Sequence, residues 1–138
     1  MTSQSLDKEL TFFPNYVSDA VLKVNLIARR SLSDEEFTLW LNLGLDMARN
    51  GGKAGQAAKE YFRASQFILD HIPFVHIKQW AYWGGELAKE SPEVASSFFE
   101  TSPATFNYLK PWDIGEWAQL GRKLYSPGTK AGMLCVRY

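Results

Sequence analysis

The sequence predicts an all-α protein, built as a right-handed superhelical array of short helical repeats. One helical pattern recurs around three tryptophans, Trp40, Trp80 and Trp117, which stand 40 and 37 residues apart. A glycine follows each tryptophan by four residues, and apolar residues flank it at helical spacing. No useful length of chain alternates apolar and polar residues with a period of two, so no sheet is expected. Repetition at this period is typical of architectures in which each unit buries its apolar face on its neighbours.

Composition places the chain among globular proteins and gives it no electrostatic bias. Its 138 residues suit one domain, and 46% are hydrophobic while 22% are charged. Lysine plus arginine and aspartate plus glutamate number 15 each, for a formal net charge of zero. A neutral chain has no overall field that attracts polyanions. We therefore expect neither nucleic acid nor an anionic membrane as a partner.

Cysteine content and the N-terminal sequence lead to an expected location. Cys135 is the single cysteine, so no disulfide can form within the chain. The first residues lack the basic start and apolar run of a signal peptide. No apolar run approaches the roughly 18 residues that a membrane span requires. These features predict a cytoplasmic protein.

The N-terminal third is expected to begin irregularly and then become helical. Residues 1–16 are predicted to be irregular, because Phe12-Phe13-Pro14 should end any helix before it grows. From Tyr16 to about Arg29 the apolar residues fall at helical spacing. The sequence therefore predicts a first helix over this range.

A strong start signal and a strong stop signal bound the helix of the first tryptophan. Ser33 and Glu36 form the pattern of a capping box, in which each side chain bonds the backbone N–H of the other residue. The helix should run to about Arg49 and stop at Asn50-Gly51-Gly52, a turn sequence.

The rest of the chain is divided by proline. Ser91-Pro92 should begin a helix with Ser91 as its N-cap. Ser102-Pro103 has the same pattern, so we expect one helical segment to end there and another to begin. The remaining predicted helical segments are Lys53–His71, Phe74–Lys89, a short turn at Ala104–Leu109, and Asp113–Tyr125.

Counting back from each tryptophan shows a second repeated block. An alanine, two aromatic residues and a serine stand 22, 19, 18 and 15 residues before Trp80 and again before Trp117. Before Trp80 these residues are Ala58, Tyr61, Phe62 and Ser65. Before Trp117 they are Ala95, Phe98, Phe99 and Ser102. The same offsets from Trp40 keep an apolar pair, Val21 and Leu22. The single domain of residues 1–138 therefore divides into an irregular segment at 1–16, a half repeat at 17–32, repeats at 33–72 and 73–109, and a half repeat at 113–138.

Within each unit the repeated residues are interpreted as packing residues. Three tryptophans in one register could be ligand-stacking platforms, but this spacing favours core between neighbouring helices. Gly44, Gly84 and Gly121 lie inside helices, where glycine costs about 1 kcal/mol relative to alanine. We expect close approach of the aromatic pair from the partner helix to offset that cost.

These motifs resemble those of known helical-repeat families. Trp-x-x-Leu-Gly followed by alanine and an aromatic is similar to the tetratricopeptide signature, but both intervals here exceed its period of about 34 residues. The longer unit is more similar to HEAT or armadillo repeats. A closer resemblance is to the helical region of bacterial von Willebrand factor A domain-containing proteins of the nitric oxide reductase activation type. It covers about Glu36 to Tyr138, and the matching residues are Trp80-Ala81, Gly84, Leu87-Ala88, Ser91-Pro92, Ala95, Phe98-Phe99 and Ser102-Pro103.

The resemblance implies a partner. Proteins of that family are thought to act as adaptors beside MoxR-like AAA+ ATPases in the maturation of metalloenzymes. An AAA+ ATPase or a von Willebrand factor A domain is the partner that the resemblance implies. The Asp-x-Ser-x-Ser metal-adhesion motif of that domain does not occur in these residues. The unit that begins at Phe37 also departs from the family block, with Asn50-Gly51-Gly52 in place of Ser-Pro.

The sequence contains no recognisable arrangement of residues typical of a catalytic site. His71 and His76 are separated by Pro73 and do not share a helical face, and no cysteine or acidic cluster joins them. His71 is interpreted as a C-terminal helix residue, favoured by the helix dipole. The glycines near Gly51 lack the frame of a phosphate loop. We expect neither an enzyme nor a cofactor or metal site.

The candidate site is therefore a surface. Lys59, Arg63 and Gln66 share a polar face of the Lys53–His71 helix, and Ser96 and Glu100 are their repeat equivalents. The alternative interpretation is an ordinary solvated face. Trp112 lies outside the repeated tryptophan register and is the candidate for an exposed aromatic anchor.

The sequence thus predicts a non-catalytic protein-interaction scaffold or adaptor. One alternative is a helical-repeat module that binds nucleic acid or a small ligand, which the neutral charge disfavours. Another is a subunit of a larger enzyme complex, whose site a second chain completes.

Overall fold

The described part of the protein consists of α-helices and the turns between them. A computed structural model describes residues 3–51, 53–106, 110 and 113–125. Its helices are α1 (Ser3–Leu10), α2 (Asn15–Ser31), α3 (Asp34–Ala48), α4 (Lys53–His71), α5 (Phe74–Glu90), α6 (Pro92–Thr105) and α7 (Ile114–Tyr125). No strand occurs in these residues, which confirms the all-α prediction. Within them, no helix combines the length and the apolar character that crossing a membrane demands.

The helices form two rows that pack on each other. In one row α4 packs against both α2 and α6, and in the other α5 packs against both α3 and α7. The rows meet where α3 packs on α4 and where α5 packs on α6. One continuous apolar core lies between them and draws buried residues from α1 through α7.

The N-terminal segment corrects the prediction of an irregular start. Helix α1 forms within residues 1–16 and buries Leu6 and Leu10 in the core. Eight residues would be a marginal helix in isolation, so tertiary burial stabilises it. Pro14 does not prevent this, because α1 has already ended at Leu10 and Pro14 stands at the N-cap of α2.

The predicted boundary signals of α3 are confirmed. The Glu36 backbone N–H donates to Ser33 Oγ over 3.2 Å, and the Ser33 backbone N–H donates to Glu36 Oε1 over 2.9 Å. After α3 ends at Ala48, Gly51 adopts a φ of 73°, a left-handed conformation that glycine reaches without strain. The chain then turns into α4, whose bounds match the prediction.

Helix α6 differs from the prediction in its N-terminal cap and in its C-terminal boundary. Ser91 occupies the N-cap position but makes no side-chain capping bond. Pro103 lies inside the helix, so the break at Ser102-Pro103 and a separate turn beginning at Ala104 are wrong. Near the C-terminus Pro103 removes a single intrahelical bond, and the Phe106 N–H still donates to the Ser102 carbonyl over 2.9 Å. Residues 107–109 of that predicted turn lie outside the described range.

The repeated tryptophans are core residues, as predicted. Trp40 and Trp80 are fully buried and Trp117 is 6% exposed. The Trp40 indole N–H donates to Ser65 Oγ over 3.0 Å, and that of Trp80 donates to Ser102 Oγ over 2.8 Å. The serine of the repeated block is thus the hydrogen-bond partner of the preceding tryptophan.

The helical glycines allow the predicted close approach. A Cβ added at Gly84 would lie within 2.7 Å of three ring atoms of Phe99. One added at Gly44 would lie within 2.8 Å of ring atoms from Tyr61 and Phe62. The space of the missing side chain is therefore occupied by both rings of the aromatic pair at Gly44 and by Phe99 alone at Gly84. The side-chain surroundings of Gly121 lie outside the described residues.

Candidate functional site

A cleft lies between α2 and α4, on the row that contains α2, α4 and α6. Its volume is about 560 Å³. It is lined by polar and charged side chains over an apolar floor, and the lining residues are Tyr16, Asp19, Ala20, Lys23, Val24, Lys59, Arg63 and Gln66.

One wall of the cleft comes from residues that the sequence had singled out. Lys59, Arg63 and Gln66 all line it from α4. They stand at positions i, i+4 and i+7, so one helical face presents all three. The structure therefore brings these three predicted site residues together beside a concave surface.

The opposite wall was missed. Tyr16, Asp19 and Lys23 line the cleft from α2, the helix of the predicted N-terminal half repeat, and none of them was among the predicted site residues. The repeat register contained the signal. Asp19 stands 21 residues before Trp40, as Lys59 does before Trp80, and Lys23 and Arg63 both stand 17 residues before their tryptophans. Counting back from Trp40 for polar positions would have found this wall.

The close approach of Tyr16 to Gly55 defines one end of the cleft. A Cβ added at Gly55 would overlap the hydroxyl of Tyr16 and lie 3.3 Å from its Cζ. The absent side chain lets the first turns of α2 and α4 approach closely there. Tyr16 is consequently held at that end, half-buried against α4.

The cleft is cationic although the whole chain is neutral. Its lining carries three cations, Lys23, Lys59 and Arg63, against the single carboxylate of Asp19, so the net charge is +2. In the part of the chain that the structure describes, Lys23 forms no ion pair. Lys59 and Arg63 both approach Glu60, at 3.9 Å and 3.4 Å.

Glu60 stands beside the cleft without lining it. Its side chain is 15% exposed. Removal from water raises the pKa of the Glu60 carboxyl, the charge of Glu100 raises it further, and the attraction of Arg63 and Lys59 only partly opposes these effects. The two cations therefore do not fully compensate this carboxylate, which is not one of the predicted site residues.

The remaining predicted site residues lie elsewhere. Ser96 and Glu100 are on α6, and neither lines the cleft. Glu100 is close enough to Glu60 to raise its pKa, so these two carboxylates of α4 and α6 lie near each other. Trp112 lies outside the described residues.

The acidic residues and histidines of the described ranges show whether a metal site is present. No group of three or more histidine, cysteine, aspartate or glutamate residues in the described ranges could hold a metal ion. His71 ends α4, and its Nδ1 lies 2.7 Å from the Phe67 carbonyl while its ring stacks on the Phe67 ring. This is the C-terminal helix position that the sequence predicted for it. The cationic cleft is a concave surface on which charged and polar side chains of the described residues converge.

Comparison of the chain with protein-family models, curated proteins and solved structures gave no match.

Proposed function

We propose that the protein is a non-catalytic interaction scaffold, and that the cleft between α2 and α4 receives a segment of a partner protein. The observation that carries the proposal is the cleft itself. Charged and polar side chains from two helices converge on a concave surface with an apolar floor. Convergent polar groups around an apolar depression are the general form of a binding site.

The helix arrangement supports a superhelical array of repeats. Each tryptophan helix, α3 or α5, packs on the helix that follows it, α4 or α6, through the same indole–serine bond and the same glycine–aromatic contact. Stacked units of this kind present extended surfaces to partners. The cleft lies on the row formed by the second helix of each unit.

The resemblance to helical regions of von Willebrand factor A domain-containing proteins suggests the biological setting. We propose an adaptor role beside a MoxR-like AAA+ ATPase in metalloenzyme maturation. This setting rests on the repeat motifs alone, while the cleft supports only the more general role of binding a protein segment.

Site-specific photo-crosslinking in the native host tests the role of the cleft. A photo-reactive amino acid would replace Gln66, an exposed residue of the lining, or Gln79, an exposed residue of α5 in the other row. We expect a protein adduct from position 66 and none from position 79. Identification of the adduct as an AAA+ ATPase or a von Willebrand factor A domain would support the adaptor. Equal adducts at both positions, or none at position 66, would contradict the proposed function.

A further inference from the structure

We infer that the cleft between α2 and α4 recognises an extended acidic peptide segment in which carboxylate side chains alternate with uncharged ones. The inference rests on the proposed function and deepens it, because it specifies the chemistry of the partner segment. Four features of the cleft lead to it: the spacing of its cations, their distribution over both walls, its floor, and the neighbouring Glu60.

The spacing of the α4 cations suits an extended chain. Lys59 and Arg63 are four residues apart on a helix, which separates them by about 6 Å along its axis. Side chains on the same face of an extended peptide recur every second residue, about 6.6 Å apart. Two carboxylates at positions i and i+2 of such a peptide can therefore each meet one cation, and flexible lysine and arginine side chains absorb the small difference.

The opposite wall adds a third cation and selects against a uniform polyanion. Lys23 faces the segment from α2 and, within the described residues, has no ion pair to lose when a carboxylate approaches. Asp19 on the same wall repels any further negative charge. A segment with a charge on every residue would place one against Asp19, whereas a segment with alternating charges need not.

The floor accommodates the uncharged residues and the peptide backbone. Ala20 and Val24 are buried apolar side chains that line the cleft. They can contact the apolar residues of the segment, whose side chains point away from its carboxylates. The amide of Gln66 both donates and accepts hydrogen bonds, so it can pair with an exposed backbone group of the segment. A nucleic acid would offer phosphates here but no matching apolar side chains.

Glu60 competes with the segment for the same cations. Arg63 and Lys59 are shared between Glu60 and the cleft that they line. A carboxylate from the segment must draw them away from Glu60 or share them with it. Replacing Glu60 with glutamine removes this competitor, so Glu60→Gln should tighten binding of the segment, which a purely structural role of these residues would not do.

Fluorescence anisotropy with a labelled peptide of alternating Glu and Val tests the inference. The control peptides have the same composition with all Glu residues consecutive, or have Gln in place of Glu. At about 50 mM salt, where screening is weak, we expect saturable binding of the alternating peptide and weaker binding of both controls. Lys23→Glu should weaken binding about tenfold or more, and Lys78→Glu, an exposed α5 residue, should leave it unchanged. Glu60→Gln should tighten binding about threefold.

Several results would overturn the inference. These are no saturable binding of the alternating peptide up to about 1 mM, equal affinity for the consecutive-Glu peptide or a single-stranded oligonucleotide, or equal weakening by Lys23→Glu and Lys78→Glu. Circular dichroism must show each variant to be folded. A protein adduct at position 66 without affinity for the acidic peptide would overturn this inference alone. Binding of the acidic peptide without that adduct would overturn the proposed function, but the inferred preference of the cleft for acidic peptides would stand.

Discussion

Trp40 and Trp80 bring polar atoms into the core, and each polar atom has a partner. Both indole N–H groups donate to a buried serine, and the Tyr61 hydroxyl donates to the Trp40 carbonyl over 2.7 Å. Burial raises the pKa of Tyr61 well above its usual value near 10, so the hydroxyl remains protonated and can donate. Because an unpaired buried donor costs about 1–3 kcal/mol, these bonds restrict which helices can lie together.

Gly84 and Gly85 are adjacent in α5 but have opposite surroundings, which makes them a matched pair for substitution. A Cβ at position 84 would overlap the fully buried Phe99 ring, whereas a Cβ at position 85 meets nothing within 4 Å. We expect Gly84→Ala to lower the free energy of unfolding by about 1–3 kcal/mol through overpacking, and Gly84→Leu to lower it further. Gly85→Ala should raise it by about 0.5–1 kcal/mol, because alanine is the better helix former.

Urea denaturation of the glycine variants measures both effects. Wild-type stability in Gly84→Ala would show that Phe99 can move aside, which would remove the close-approach explanation of the repeated glycine. Destabilisation by Gly85→Ala would show that α5 tolerates no added side chain in this turn.

The raised pKa of Glu60 predicts a pH-dependent effect of its replacement. The folded state binds this proton more tightly than the unfolded state, whose value is near 4.5. The stability contributed by protonation is therefore fully present below about pH 4.5 and is lost as pH rises through the folded-state pKa. At neutral pH the ionised carboxylate destabilises the fold, so Glu60→Gln should be more stable than wild type there.

Thermal melts at neutral pH and near pH 4 check this expectation. The difference between Glu60→Gln and wild type should shrink as pH falls, because wild-type Glu60 becomes protonated and uncharged. Glu86→Gln is the control for loss of an ion pair at the surface, since the partly exposed pair of Glu86 with Lys89 contributes little to stability. A Glu60→Gln protein less stable than wild type at neutral pH would mean that its pairs with Lys59 and Arg63 outweigh its burial.

Helices α3 and α6 both have a serine at the N-cap, but only the serine of α3 makes a side-chain capping hydrogen bond. Ser33 completes a capping box at α3, while Ser91 occupies the N-cap of α6 without a side-chain bond. We expect Ser33→Ala to cost about 0.5–2 kcal/mol and Ser91→Ala to cost distinctly less. Chemical denaturation of the two variants gives the comparison. Equal losses would indicate that Ser91 forms its cap in solution.

The elements that the sequence predicted correctly are those fixed by local chemistry. The capping box and the Gly51 turn bound α3 because both depend on residues a few positions apart. Helix α1 was missed because its stability depends on distant packing of Leu6 and Leu10. Pro103 was misread as a boundary because it lies in the last turn of α6, where little is lost.

The cleft shows why a site is harder to predict than a helix. Helical periodicity placed Lys59, Arg63 and Gln66 on one face of α4. The pairing of that face with Lys23 depends on α2 and α4 being neighbours, which no pattern within α4 contains. Only the repeat register, applied to α2 as well as to α6, carried that information.

At the scale of the whole molecule, aromatic contacts link the helices from α3 to α7. Tyr61 contacts Trp40 at 6.3 Å and Trp80 at 5.0 Å between ring centroids, so it joins one tryptophan helix to the next. Phe99 contacts Trp80, and its neighbour Phe98 contacts Trp117 at 4.4 Å. The units therefore share side chains at each junction, and neighbouring units should stabilise one another.

Tyr61→Ala tests whether this shared core makes the molecule cooperative. Removing a buried aromatic ring should cost about 3–5 kcal/mol, and Tyr61 lies where α3, α4, α5 and α6 meet. Native-state hydrogen exchange of wild type should give α3 and α6 similar opening free energies, and Tyr61→Ala should lower both by similar amounts. Tyr82→Ala, at a 56% exposed residue, should change neither by more than about 0.5 kcal/mol. If α3 loosened while α6 kept its protection, the units would unfold separately, because each would retain enough core of its own despite the rings that they share.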